Sequence, residues 1–139
     1  MASLQEKNKE IVRRYLKEFI EGQNDAVHWE LISPEFLERV SGQKGAEPPF
    51  FFITKIVRPA FPDIKVVIHD MIAEGDKVVV YKSHEGTHKG EFMGIPPTGK
   101  RVSFAIIEIL TLRDGKYVEH FAISDSEGLM QQLRSNGVE

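Results

Sequence analysis

One acidic residue interrupts the most apolar stretch of this chain: Glu108, in the middle of SFAIIEILTL from Ser103 to Leu112. Burying an ionised carboxylate is costly, and burial raises its pKa unless a cation or several donors compensate; both situations are typical of acid/base sites. On a strand wetted on one face, Glu108 would instead simply look into solvent. Its candidate partner is His120, in the strand-like run Tyr117 to Ser124. Between them, Arg113-Asp114-Gly115 suits a three-residue hairpin loop with Gly in the left-handed position. Leu112 would then pair with Lys116 and Glu108 would lie directly opposite His120, with Cβ atoms about 5 Å apart. A two-residue turn pairs His120 with Ile109 and sends Glu108 to the other face, so the register decides whether the pair exists. If it does, the pair would raise the His120 pKa and lower that of Glu108, the reverse of what burial does to each, and Glu108 is the base for a proton next to a carbonyl, raised toward neutral where its apolar strand prevails. His120 would orient it or donate to the developing enolate oxygen.

Asp125 is a third candidate for the chemistry, with a competing role as N-cap of a final short helix. His84 and His88 are four residues apart, which on an extended strand separates them by roughly 13 Å, too far to share an ion. No metal site is expected. His84 reads as a surface strand residue and His88 as a residue that holds its loop, while Tyr81 could point inward. The chain has no cysteine, no phosphate-cradling glycine loop and no serine nucleophile elbow, so cofactor-free chemistry is expected.

The elements that must position these groups are legible in outline. Ser3 and Glu6 resemble a capping box, and Ile11, Val12, Tyr15, Leu16, Phe19 and Ile20 recur at helical spacing before Gly22. A shorter helix capped by Asn24 or Asp25 carries Val27, Trp29, Leu31 and Ile32 and stops at Ser33-Pro34. A third helix starts at Pro48-Pro49 and is terminated by Pro59 and Pro62. Its consecutive Phe50, Phe51 and Phe52 point about 100° apart, so at least one ring should line a cavity or a subunit contact. After Pro62 the apolar period changes to two, giving a strand with Ile64, Val66, Ile68 and Ile72, then strands at Lys77 to Glu85, Arg101 to Leu112 and Tyr117 to Ser124. Helices followed by an antiparallel meander indicate an α+β domain.

At 139 residues the chain has the size of a single domain, 1–139, and 41% hydrophobic with 28% charged residues is ordinary for a globular protein. No apolar run reaches the roughly 20 residues that span a bilayer, and the N-terminus lacks a secretory pattern, so a cytoplasmic location is expected and a membrane partner is not. A formal net charge of −3 with interspersed signs disfavours a nucleic-acid partner.

The loop GTHKGEFMGIPPTGK, Gly86 to Lys100, holds four glycines and two prolines between two strands, a connection of fixed shape. Together with GKYVEHFAISDSEGLMQQL, Gly115 to Leu133, it resembles the SnoaL-like polyketide cyclase (ester cyclase) family of the nuclear-transport-factor-like superfamily, from Asn8 to Leu133. That resemblance implies a conical α+β barrel, a curved, mostly antiparallel sheet against N-terminal helices enclosing a pocket. It also implies a small apolar carbonyl substrate, intramolecular aldol-type cyclisation or a related isomerisation, dehydration or hydrolysis, and a homodimer. In such cyclases an acid/base Asp lies two residues after the His of a DH or EH pair; here that position is Ala122, and a second pocket His corresponds to Glu108. Tyr15, Trp29, Phe50, Phe51, Tyr81, Phe104 and Ala122 are the expected substrate contacts. With a methyl at position 122, a non-catalytic binding or dimerisation module of the same fold is the alternative.

Overall fold

The computed structural model describes residues 2–135. Helix α1, Leu4–Arg14, begins where the Ser3 hydroxyl accepts the backbone N–H of Glu6 at 3.1 Å; Glu6 spends its carboxylate on Lys9 rather than on a reciprocal cap. It continues as a π-helical stretch, Tyr15–Glu21. The apolar periodicity buries Val12, Leu16, Phe19 and Ile20 along one side. Helix α2, Asp25–Leu31, is one residue shorter than its pattern suggests, because Ile32 already belongs to a strand, β1, Ile32–Glu38. Sequence reasoning ended a helix there and missed this strand, whose Ser33-Pro34 interruption breaks both helical and alternating periodicity. The third helix is a composite of α3 (Glu47–Phe51), a π-helical stretch (Phe52–Val57) and α4 (Arg58–Ala60).

Strands β2 (Lys65–Glu74), β3 (Lys77–Thr87), β4 (Arg101–Arg113) and β5 (Lys116–Ser124) form the meander. Helix α5, Ser126–Arg134, closes the described chain. The sheet order is β1-β5-β4-β3-β2, antiparallel except that β1 runs parallel to β5. The sheet is curved but open: β1 and β2 remain edges, and helices rather than a last pairing cover the concave side. Val66, Val78, Val80 and Leu110 on that side pack with Val12, Leu16 and Phe19. Among the described residues no helix is long and apolar enough to cross a membrane.

The Gly86–Lys100 loop is a structural clamp. The His88 N–H donates to the Lys100 carbonyl and the Gly99 N–H to the His88 carbonyl, both at 2.8 Å, and the buried His88 ring accepts the Thr98 backbone N–H at Nδ1, 3.2 Å. A Cβ at Gly90 would sit 2.3 Å from the Pro59 carbonyl oxygen, so only glycine lets the loop seat on the end of α4.

Candidate functional site

The β4–β5 turn is shorter than the three-residue loop expected. Arg113 pairs with Lys116 across Asp114-Gly115, both at positive φ (53° and 77°), the signature of a tight hairpin turn. By itself that turn would put Glu108 and His120 on opposite faces. A bulge reverses the outcome: Leu112 pairs with Tyr117 but Thr111 pairs with Glu119, leaving Val118 as an extra residue. The shift makes Leu110 the partner of His120 and Ala122 the partner of Glu108. Glu108 and His120 therefore share the concave face as diagonal neighbours, not as the direct pair anticipated.

Two further groups complete this row, and sequence reasoning assigned neither. Lys82 on β3 shares the inner face with Val78 and Val80 and lies diagonal to Glu108, since Val80 is the residue directly across from Glu108. Glu38, at the end of the missed strand β1, is in register with His120. Signs thus alternate across four strands: Lys82, Glu108, His120, Glu38. The Lys82 ammonium donates to Glu108 Oε2 at 3.0 Å, and His120 Nε2 reaches the same oxygen at 3.4 Å. His120 Nδ1 is bonded to Glu38 Oε2. Lys82 and Glu108 are only 2% and 4% exposed, so neither charge is satisfied by bulk water. The parity of Lys82 with Val78 and Val80 was the available signal; for Glu38 no periodicity pointed to a strand.

Burial alone would push the Glu108 carboxyl up, but Lys82 and His120 more than offset it and hold the group at about 2. Of the two opposed expectations, the effect of the charged partners prevails and that of the apolar strand, a carboxyl raised toward neutrality, is corrected. For His120, burial acts downward, yet its bonds to Glu108 and Glu38 lift it to about 9. Burial likewise acts upward on Glu38, and the His120 bond carries it below its usual value. At neutral pH the row holds an ammonium, an imidazolium and two carboxylates.

These shifts fix the sign of the pH dependence. The stabilisation from His120 is complete below its unfolded value of 6.5 and is lost as pH rises through about 9. That from Glu108 is complete above 4.5 and is lost as pH falls through about 2. Folding stability is expected to be greatest between these limits, and NMR titration of the His120 ring checks it: a midpoint near 6.5 would contradict the bridged geometry.

The row forms one wall of a cavity of about 480 Å³, within the range of small-molecule sites. Tyr15, Phe36, Ile53, His84 and Ala122 contribute to its lining. Tyr15 donates its hydroxyl to Nδ1 of the buried His28 at 2.8 Å, because His28 Nε2–H is committed to the Ala46 carbonyl at 2.7 Å. His84 was expected at the surface but sits on the inner face beside Lys82, 7% exposed, and burial depresses it to about 3. Other expected contacts lie elsewhere. Tyr81 is on the convex face, its ring tilted against His69 with centroids 4.5 Å apart, because strand alternation sends it opposite to Lys82. Phe50 packs on Phe19, His28 and Trp29. Phe104 packs edge-on to His84, outside the cavity lining. Trp29 and Phe51 face a separate open groove. Asp125 is the N-cap of α5, accepting the Gly128 N–H at 2.9 Å, and does not reach the cavity. Among the described residues no cluster of His, Asp and Glu is arranged to hold a metal ion.

Comparison with known proteins agrees with this architecture. The chain is 29% identical over 119 residues to nogalonic acid methyl ester cyclase of Streptomyces nogalater, covering 83% of this chain and 88% of that one. Aklanonic acid methyl ester cyclase of Streptomyces peucetius is 27% identical over 128 residues, with 89% and 88% covered. A SnoaL-like polyketide cyclase structure from Jannaschia sp. CCS1 superposes with a TM-score of 0.84 at 29% identity, covering 96% and 95% of the two chains. The model of the SnoaL-like polyketide cyclase family matches residues 9–133. A curved sheet against N-terminal helices, with that match along nearly its whole length, makes this chain a member of the SnoaL-like polyketide cyclase family.

Proposed function

We propose that the protein is a cofactor-free cyclase that acts by acid/base chemistry on a small, largely apolar carbonyl compound, closing a ring by intramolecular aldol addition. The observation that carries this reading is the convergence of Lys82 and His120 on one oxygen of Glu108 at the cavity wall. Among the described residues Glu108's bonds go to Oε2, which leaves Oε1 to accept the proton next to the substrate carbonyl. A carboxylate held at about 2 is a weak base, so the two cations must do much of the work by stabilising the enolate that forms. A substrate oxygen that draws the His120 N–H from Oε2 also returns basicity to the carboxylate. His120, protonated at neutral pH, then delivers a proton to the aldol oxygen, and Glu38 holds the ring in place.

Ala122 fits this scheme by its position. It lies directly across from Glu108, so the acid that the resemblance would place on β5 is supplied from β4. A second carboxylate at 122 would face an ionised neighbour at cross-strand distance, which is unfavourable. Family membership supports the substrate class. Nogalonic and aklanonic acid methyl esters, the compounds in the relatives' names, are the first to offer, with mass spectrometry following a product of unchanged mass and new retention. Deuterium uptake next to the carbonyl in D2O detects proton abstraction even without ring closure. If a panel of such keto esters binds yet shows neither, the protein is a binding module and the reading fails.

The same reading includes a homodimer formed through the convex face of the sheet. Tyr81, Ile107, Ile109, Phe121 and Ile123 are all exposed there by 37–62%, an apolar patch of the kind that marks an interface. Light scattering is expected to give about twice the 15.8 kDa chain mass. Ile107→Lys with Ile123→Lys should yield monomer; a monomeric parent protein refutes the dimer.

A further inference from the structure

A second concavity, an open groove of about 900 Å³, adjoins the cavity and shares Gln43, Pro48 and Phe52 with it. Its wall is aromatic: Trp29, Phe51 and Phe52 are 47%, 58% and 47% exposed. Three large rings half in water on one small surface are unusual for a face without a ligand. Phe51 and Phe52 are there because the helical path from α3 into the π-helical stretch points successive rings away from the core that Phe50 joins, while Trp29 comes from α2 and packs against Phe50. Lys44 and Lys116 also line the groove, against a single acid, Glu47. Lys116 is tethered by a 3.1 Å bond to the Glu30 carbonyl, and the nearby Glu30 carboxylate, which feels its charge, is already bonded to Arg14, so a cation is held beside the rings with only part of its charge offset.

From this we infer that the groove is a second binding subsite, for a planar aromatic group carrying an anionic substituent, the distal part of a ligand whose reactive end lies beyond Phe52 in the cavity. Ring faces supply stacking, the two lysines favour the anion, and Phe52 is the partition around which one ligand can bend. The subsite rests on the cavity's being a ligand site; it does not require that the ligand be turned over.

Trp29 is the chain's sole tryptophan, so its emission reports on this groove. Titration with 8-anilinonaphthalene-1-sulfonate is expected to quench Trp29 saturably, with energy transfer to the probe. Lys44→Glu combined with Lys116→Glu should weaken that quenching about tenfold, from two lost favourable charges and two repulsive ones. The uncharged N-phenyl-1-naphthylamine should ignore the lysine changes yet lose affinity with Phe51→Ser. All three substitutions are at exposed positions, and circular dichroism verifies that the variants fold. Probe binding that leaves Trp29 unquenched, or quenching indifferent to these substitutions, would place the probe in the inner cavity or on the convex sheet face and overturn the subsite. Trp29 emission that changes with protein concentration alone would make the occupant a second copy, and overturn it equally. Glu108→Gln separates the two readings, since it should lower proton abstraction by about 10²-fold or more while leaving the quenching intact.

Discussion

Replacing Lys82 with Met is expected to destabilise the fold by about 3–5 kcal/mol, the cost of stranding a buried carboxylate without its cation. The side chain is almost wholly buried and its ammonium lies 3.0 Å from Glu108 Oε2. His120 at 3.4 Å can compensate only in part, because it is shared with Glu38. The decisive comparison is a double-mutant cycle in urea at neutral pH. Lys82→Met with Glu108→Leu removes both charges and should recover most of the loss, since a buried ion pair contributes little relative to packed apolar groups of similar size. A loss below about 1 kcal/mol for the single variant would mean that water in the cavity solvates the carboxylate, and that Lys82 is free to serve another purpose.

Glu108→Gln should lower proton abstraction and cyclisation by about 10²–10⁴-fold, the usual contribution of a positioned base. The amide keeps the volume and can still accept from Lys82, but it leaves that buried ammonium without its counter-charge, so stability should fall as well, and activity is compared on protein that circular dichroism shows to be folded. A second readout distinguishes a catalytic role from a structural one. His120 owes its elevation to about 9 first to Glu108 and then to Glu38, so its NMR midpoint should move down toward 6.5 in the Gln variant without reaching it. Full activity with a shifted His120 would demote Glu108 to a positioning residue for the imidazolium. An unshifted His120 would show that the two groups do not interact in solution.

These expectations turn on a bulge of one residue, which shows where sequence reasoning stops. The helix from Leu4, the four-strand meander and most of the apolar faces follow from local periodicity, because side chains repeat every 3.6 or every 2 residues and the core selects those repeats; Ile72 is the exception, turned outward by the register irregularity between Ile68 and Asp70. The suspicion attached to Glu108 was equally local, a charge inside an apolar strand. Asp114-Gly115 announced a turn, but Gly115 at positive φ fits both a two-residue turn and a longer loop. Nothing in KYVEH signals that Val118 is the extra residue.

The sequence by itself determined the α+β class, most of the elements and the apolar strand that makes an acid conspicuous, since each depends on residues close along the chain. Only the tertiary structure decided that Lys82, Glu108, His120 and Glu38 form one row, because that depends on strand order and register across residues 38 to 120. The same long-range pairing set the proton affinities. A carboxyl read alone on an apolar strand is pushed up by burial; beside an ammonium and an imidazolium contributed by other strands it is pulled down. Tyr81 shows the same dependence from the other side. Its neighbour Lys82 faces the cavity, so alternation alone places the tyrosine outside, but which of the two faced inward was set by how β3 packs on α1 and β4.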